Sequence, residues 1–440
     1  MTPASTQQSQ ADTTHNVSAR DIFALAFPAL GVLAATPLYL LLDTAVVGRL
    51  GATALAALGA ATTIQAQVTT QLTFLSYGTT ARASRLYGSG KRDEAIEEGV
   101  QATWVALGVG LVIATIVILG APWLTSAIAV DSAVAAESTR WLRIAAIGVP
   151  FILCIMAGNG WLRGIQDTKR PLYFTLAGVI PGALLVPFLV GRMGIQGSAI
   201  ANLTGVLITA GLFLFTLWKE HHGTWAPKPE VMKQQLILGR DLILRSLSFQ
   251  VAFISAAAVA GRFGQHALAA HQVQLQLWNF ITLILDSLAI AAQTLTGAAL
   301  GRGSVEIAKK VGIRVTFYSF VFSIGVAGVA AAGVGIIPGI FTHDEGVIHA
   351  MTSGPWWLMV GMIIAGGVVF ALDGVLLGAS DAVFLRNATM VSVLLGFIPG
   401  VLIAYLVDGG LTGIWMGLTA FILLRLVFVV WRFKSMKWAK

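Results

Sequence analysis

Charge is scarce in this chain of 440 residues: Asp, Glu, Lys and Arg make up 11% of it, against 56% hydrophobic residues. Soluble domains carry about 25% charged residues, so a water-soluble enzyme or nucleic-acid binder is excluded at the outset. Cysteine is almost missing. Cys154 stands alone, which rules out an intrachain disulfide and any cysteine-based zinc site. Also missing are a P-loop, a Rossmann glycine fingerprint, a hydrolase triad and a cluster of metal ligands, so no cofactor or metal is expected. The longest polar interruption is too short for the nucleotide site of an ATP-driven pump. What the chain has instead is apolar sequence, with a mean hydropathy of +0.81, as in a polytopic membrane protein.

A helix needs about 20 apolar residues to cross the hydrocarbon core. Twelve such spans are predicted, over 21–47, 53–79, 94–120, 139–162, 171–191, 197–218, 241–261, 267–299, 306–337, 352–379, 385–407 and 411–431. Their apolar runs are continuous, whereas a membrane barrel needs alternation. Residues 1–20 are Ser/Thr/Gln-rich without the apolar core of a signal peptide and are expected as a disordered cytoplasmic tail. The stretch 219–240, with His221, His222, Pro227 and Pro229, reads as a cytoplasmic linker between 21–218 and 241–440. Of the 28 Lys and Arg residues, five (Arg49, Arg140, Arg143, Arg192 and Arg262) fall outside when the N-terminus is inside, and 23 fall inside. That bias places both termini in the cytoplasm of a multi-pass protein of the cell membrane. It also explains the net charge of +8 without nucleic acid.

The chain repeats itself. Ala45-Val46-Val47-Gly48-Arg49-Leu50-Gly51 returns as Ala258-Val259-Ala260-Gly261-Arg262-Phe263-Gly264, and Ala54-Leu55-Ala56-Ala57 as Ala267-Leu268-Ala269-Ala270. Gly88 pairs with Gly301 and Gly99 with Gly312, all at an offset of 213; Gly164 then matches Gly378 at 214 and Gly197 matches Gly413 at 216. Six spans precede the second copy, so both copies enter the membrane in the same sense. The expected fold is an all-α membrane protein of twelve helices in two six-helix lobes, related by a pseudo-twofold axis along the membrane normal. Such an architecture suits alternating access better than a single-pore channel.

Acids are rare within the spans. Beyond the first five residues of each predicted span only Asp43, Asp286 and Asp373 occur, and a charge at bilayer depth costs about 2.5–3.5 kcal/mol even on the gentlest scale. Such a group persists when it is protonated, paired or lining water. Asp43 reads either as a proton-coupling acid or as a carboxylate held locally by Arg49 or by a helix end. Pro28 and Pro37 precede it on the same span, and prolines free backbone carbonyls and permit bending. They can make a switch that follows Asp43 or a static kink. In the repeat Asp43 aligns with Ala256, Pro28 with Asp241, and Asp373 with Asn159. The eighth span carries His271, Gln274, Trp278, Thr282, Asp286 and Gln293 at near-helical spacing, and the second carries Thr63, Gln67, Thr70 and Gln71. These stripes line an aqueous cavity or bond neighbouring helices, a bond worth about 0.6 kcal/mol on average. Trp123, Trp141, Trp218 and Trp431 near span ends suit an interfacial belt.

From residue 21 onward the sequence resembles the multidrug and toxic compound extrusion (MATE) transporters, most closely the branch named after DNA-damage-inducible protein F (DinF). The resemblance rests on Leu-x-Asp-Thr-Ala-x-x-Gly-Arg-Leu-Gly at 41–51, Ala54-Leu55-Ala56-Ala57, Leu162-Arg163-Gly164-Ile165-Gln166-Asp167-Thr168 and Gly194-Ile195-Gln196-Gly197-Ser198-Ala199. In the second half it rests on Ala289-Ile290-Ala291-Ala292-Gln293-Thr294-Leu295 and Leu372-Asp373-Gly374-Val375-Leu376-Leu377-Gly378-Ala379. It implies export of amphipathic, usually cationic, organic compounds in exchange for H⁺ or Na⁺, with Asp43 at the place of the family's coupling acid and Pro28 at that of its bending proline.

Two departures matter. Gly182 and Val186 stand where many members carry an Asn and an Asp on the fifth helix, and the seventh helix lacks the Glu that another branch uses for Na⁺. These losses favour protons over Na⁺. The expectation is thus a monomeric, proton-coupled secondary antiporter, not an enzyme, that meets a small organic substrate and membrane lipids. Its candidate cavity residues are Thr63, Gln67, Gln71, Asn159, His271, Gln274, Trp278, Asp286, Gln293 and Asp373. The alternatives are a flippase for lipids or lipid-linked precursors and a Na⁺-coupled exporter of the same fold.

Overall fold

Within a bilayer no water satisfies a backbone N–H or C=O, so long apolar runs must close their hydrogen bonds internally. A computed structural model describes residues 17–129 and 131–439, and the regular structure among them is helical throughout. In the first half run α1 (Ala19–Val47), α2 (Ala52–Leu72), α3 (Phe74–Gly88), α4 (Arg92–Ser126), α5 (Ser132–Ile147), α6 (Val149–Gly164), α7 (Lys169–Met193) and α8 (Ile195–Glu220). Then come α9 (Pro229–Arg262), α10 (Gln265–Gly301), α11 (Val305–Ala332), α12 (Ile337–Phe341), α13 (Glu345–Thr352) and α14 (Pro355–Gly378). The chain ends with α15 (Ala382–Ser392), α16 (Ile398–Leu406) and α17 (Gly410–Lys434). The tail expected over 1–20 lies outside the described residues up to residue 16, while Ala19 and Arg20 already belong to α1. Of the stretch 219–240, residues 229–240 form the first turns of α9.

The twelve expected spans map onto these helices. Among the described residues ten helices are long and apolar enough to cross a membrane, and an eleventh span is α5 with α6, bent by 45°. The bend falls at Gly148, and Pro150 just beyond it cannot donate to the carbonyl of Ala146. The remaining expected span, 53–79, is α2 plus α3, which part at Thr73. It fails on apolar content because α2 is laced with Thr and Gln. The span 385–407 is interrupted at Val393–Phe397 by a π-helical turn.

Two compact units divide the chain: an N-lobe of Pro28–Ser246, and a C-lobe that joins the residues up to Phe27 with Leu247–Lys440. The first division falls inside α1, at its first proline. Before it, Phe23 packs on Tyr318 and Phe322, at ring-centroid distances of 6.4 and 6.1 Å. After it, α1 packs with the N-lobe core, where Tyr39 and Val47 join Trp141, Val186 and Val190 in one apolar cluster. The first turns of α9 belong to the N-lobe. There Glu98 of α4 accepts from Arg82 (2.9 and 2.7 Å) and from Gln235 of α9 (2.9 Å).

Helices lean on each other backbone to backbone. A Cβ on Gly178 of α7 would stand 1.9 Å from Thr209 Oγ1 and 2.4 Å from the Gly205 carbonyl of α8. In the C-lobe a Cβ on Gly374 of α14 would stand 2.2 Å from the Ala289 carbonyl of α10. Small residues at such places let membrane helices gain close van der Waals contact.

Candidate functional site

Asp43 is buried, with 1% of its surface exposed. It sits one turn before the end of α1 and one turn beyond Tyr39. From α8, Ser198 Oγ donates to Asp43 Oδ2 at 2.7 Å, and from α5, Trp141 Nε1 donates to Ser198 Oγ at 3.0 Å. The tight approach of α7 and α8 holds Ser198 in place: a Cβ on the preceding Gly197 would stand 2.2 Å from the Leu189 carbonyl. Asp43 Oδ1 and the Tyr39 hydroxyl find no hydrogen-bond partner among the described residues. Pairing with Arg49, one of the sequence readings, is not formed, and Arg49 is exposed. Around the carboxyl the wall is apolar. Val186, which replaces the family's second acid, is fully buried in the same cluster.

Next to Tyr39 the N-lobe holds a cavity of about 500 Å³. From α1 it takes Val32, Leu33, Thr36, Tyr39 and Leu40, a single helical face. Pro37 lies outside that face but leaves the Leu33 carbonyl, beside the cavity, without its intrahelical donor. Helix α2 contributes Thr62, Gln65, Thr69 and Thr70; α3 adds Ser76 and Tyr77. Helix α6 contributes Ile155, Met156, Asn159 and Arg163, and α7 and α8 close the far wall with Thr175, Gly178, Asn202 and Thr209. The Tyr39, Asn159 and Thr175 side chains each present an oxygen without a hydrogen-bond partner among the described residues. Tyr39 links the two parts of the site, since it lines the cavity and stands one turn from Asp43. Asp43 itself does not line the cavity.

Of the sequence candidates, Asn159 lines this cavity, as does Thr70 of the polar stripe on the second span. Thr63, Gln67 and Gln71 do not. The facing stripe on α2 is set back by one or two residues, at 62, 65 and 69, and each residue turns the helix by about 100°. His271, Gln274, Trp278 and Gln293 are buried inside the C-lobe. There Gln274 Nε2 donates to the Pro355 carbonyl at 2.6 Å, and the His271 ring meets Trp415 at 5.9 Å. Asp286 is half-buried on the same helix. Asp373 forms a buried ion pair with Arg425. Arg425 lies over the Phe249 ring at 4.7 Å.

That ion pair explains why the repeated halves differ. By the offsets of the repeat, Phe249, Asp373 and Arg425 correspond to Thr36, Asn159 and Thr209. Those three N-lobe residues line the cavity; their C-lobe counterparts are a buried salt bridge and the ring beneath it.

Three corrections follow. Arg425 and Arg163, counted with the cytoplasmic charges, are 1% and 4% exposed inside helices. Trp141, expected in an interfacial belt, is buried and holds Ser198, whereas Trp123, Trp218 and Trp431 are exposed. Ser198 and Tyr39 are site residues that the sequence reading did not single out, although Ser198 lies in a quoted motif and Tyr39 one turn from Asp43.

Two helical lobes of repeated sequence, with a cavity in the N-lobe, fit a membrane transporter of the two-lobed type. The MatE family model matches residues 28–188 and again 242–402, so the chain belongs to the MatE family and is a multi-pass MATE transporter. Protein DETOXIFICATION 44, chloroplastic, of Arabidopsis thaliana is 31% identical over 431 residues, covering 94% of this chain and 81% of its own. DNA damage-inducible protein F of Escherichia coli (strain K12) is 27% identical over 440 residues, covering 93% and 90%. A crystal structure of MATE in the bent conformation superposes with a TM-score of 0.88 at 20% identity, over 95% of this chain and 96% of that one.

Proposed function

We propose that the protein is a proton-coupled exporter of amphipathic organic compounds in the cell membrane, with cytoplasmic termini, working by alternating access. The observation that carries this reading is the buried Asp43, held among the described residues by the Ser198 hydroxyl and joined through Tyr39 to a cavity of about 500 Å³. That volume lies within the range of small-molecule pockets, roughly 300–1,000 Å³.

Protonation changes what Asp43 can do. As a carboxylate it only accepts hydrogen bonds, and the Trp141–Ser198 chain points its donors at it. With a proton on Oδ1 it becomes a donor, and the Tyr39 hydroxyl, one turn away on the same helix and without a hydrogen-bond partner among the described residues, is an acceptor that a local rearrangement of α1 would bring into play. Pro28 and Pro37 supply the places where α1 can rearrange at low cost. A proton gradient then biases two arrangements of α1 and, with them, the shape of the cavity wall that α1 provides; a ligand or ion shifts such a balance only through its differential affinity for the two states. Protons suit this site better than Na⁺, a hard cation that takes several oxygen ligands, because one hydroxyl faces the carboxyl.

The test is dye movement in proteoliposomes under separate pH and Na⁺ gradients, with wild type beside Asp43→Asn. Movement driven by the pH gradient and lost in the variant is the expected result. Movement driven by Na⁺ alone, or full gradient-driven movement in the variant, overturns it.

A further inference from the structure

Charges gather at the start of α9 and then stop. Residues 229–245 hold Glu230, Lys233, Arg240, Asp241 and Arg245, while 246–261 hold none. In a membrane-crossing helix that contrast places the first turns at headgroup level and the later ones in the hydrocarbon. The inner face of the first turns is fixed on the N-lobe. Gln235 Nε2 donates to Glu98 Oε2 at 2.9 Å, and a Cβ on Gly239 would stand 2.4 Å from the Phe74 ring of α3. The outer face is thereby set as well: Lys233, Leu236, Ile237, Arg240 and Leu244 are exposed. A shallow groove runs along it, lined by Pro229, Met232, Leu236 and Ile237 together with Lys233 and Arg240. It shares no residue with the cavity beside Tyr39.

We propose that this face of α9 binds an anionic phospholipid of the adjoining leaflet, its phosphate between Lys233 and Arg240 and its upper acyl chain along Leu236, Ile237 and Leu244. The two cations are seven residues apart, so they share one side of the helix at a separation of about 10 Å along its axis. Both side chains are long enough to lean their charged ends toward one phosphate while their stems cover apolar surface. Arg240 Nη2 meets Asp241 Oδ1 at 3.1 Å, but that carboxylate is buried and turned inward, whereas 60% of the Arg240 side chain is exposed. Among the described residues no acid pairs with Lys233, and Glu230, one turn earlier, makes no ion pair with it. A zwitterionic headgroup would bring its own cation to this place, so net negative charge is preferred. A free phosphate would satisfy the cations and leave Leu236 and Ile237 uncovered; a lipid serves both.

Phosphatidylglycerol with a nitrobenzoxadiazole on its acyl chain reports binding to the purified full chain in neutral maltoside micelles, read by fluorescence anisotropy against unlabelled competitors. Unlabelled phosphatidylglycerol is expected to displace the probe about 10- to 25-fold better than phosphatidylcholine, and inorganic phosphate is expected not to displace it. Lys233→Gln weakens probe binding about 5-fold, the value of one cation at an anionic surface, and Lys233→Arg keeps it. Removing both cations, Lys233→Gln with Arg240→Gln, weakens it about 25-fold. Leu236→Gln with Ile237→Gln leaves both cations in place and also weakens the probe. Lys219→Gln, the same loss of charge at an exposed residue on the end of α8, leaves binding unchanged. All these side chains are exposed, so the variants keep the fold, and melting curves check it. Four results overturn the proposal: equal competition by phosphatidylcholine, displacement by inorganic phosphate at the lipid's concentration, a Lys233→Gln variant that binds no worse than Lys219→Gln, or full affinity in the Leu236 and Ile237 double variant. Neither substrate nor gradient enters the assay, so its outcome is independent of the exporter reading.

Discussion

If Asn159 and Thr209 are the hollow counterparts of Asp373 and Arg425, the C-lobe filling can be transplanted into the N-lobe. Thr209→Arg alone puts a guanidinium into the cavity beside Arg163 with no new acid. An uncompensated buried charge costs about 3–5 kcal/mol, which for a lobe of this length lowers the melting temperature by about 6–20 °C at 2–4 °C per kcal/mol. Asn159→Asp alone is mild, because Arg163 sits one turn further along α6. The double variant recreates the Asp–Arg pair, and the coupling energy of its double-mutant cycle should return about 3 kcal/mol of the loss. The same double variant should be inactive in dye transport, since the pair occupies the space that a substrate needs. Thermal unfolding of purified protein gives the first quantity and proteoliposome flux the second. A double variant no more stable than Thr209→Arg would show that the two lobes do not share this geometry. One that transports like wild type would show that substrates do not use this cavity.

Other expectations follow from single contacts. Ser198→Ala leaves both Trp141 Nε1 and Asp43 Oδ2 without their partner, so stability should fall by about 2–5 kcal/mol and Trp141 fluorescence should shift; unchanged emission and melting would remove Ser198 from the site. Asp373→Asn takes the carboxylate off the buried Arg425 charge and should cost up to about 3–5 kcal/mol in thermal unfolding, against a smaller loss when both partners become apolar. Gly178→Ala drives a methyl into Thr209 and the Gly205 carbonyl, costing about 1–3 kcal/mol, and it should narrow the cavity enough to reduce dye binding. Glu98→Ala removes the acceptor that Arg82 and Gln235 share, so proteolysis within residues 221–228 should become faster than in wild type.

The helical character, the two lobes and their repeat are legible in the sequence because hydropathy and offset are properties of long stretches, and errors at single residues average out. The site is made of single residues, and there the averaging fails. Reading Thr63, Gln67 and Gln71 for the cavity stripe of α2 was an error of one or two positions, which periodicity cannot see when polar residues surround the helix. Arg163 lies in the last turn of α6, where an arginine in water and an arginine folded inward look alike, and Arg425, inside α17, sits in a span that hydropathy alone does not penalise for one charge. Trp141 satisfied the rule for belts by its place in the chain, while its indole N–H was needed by Ser198, 57 residues away in sequence. The filled C-lobe was invisible because the partner of Asp373 is 52 residues distant, beyond any spacing argument.

The division of α1 at Pro28 and of α9 at Ser246 bears on how such a molecule can be assembled. Each lobe borrows its opening helical turns from the other side of the chain's midpoint, so neither half of the gene encodes a finished lobe. Fragments cut in the loop 221–228 would each lack a piece that the other carries, and the first would reach a stable form only when the second is made beside it. The exchange of helical turns therefore ties the two repeats into a single polypeptide.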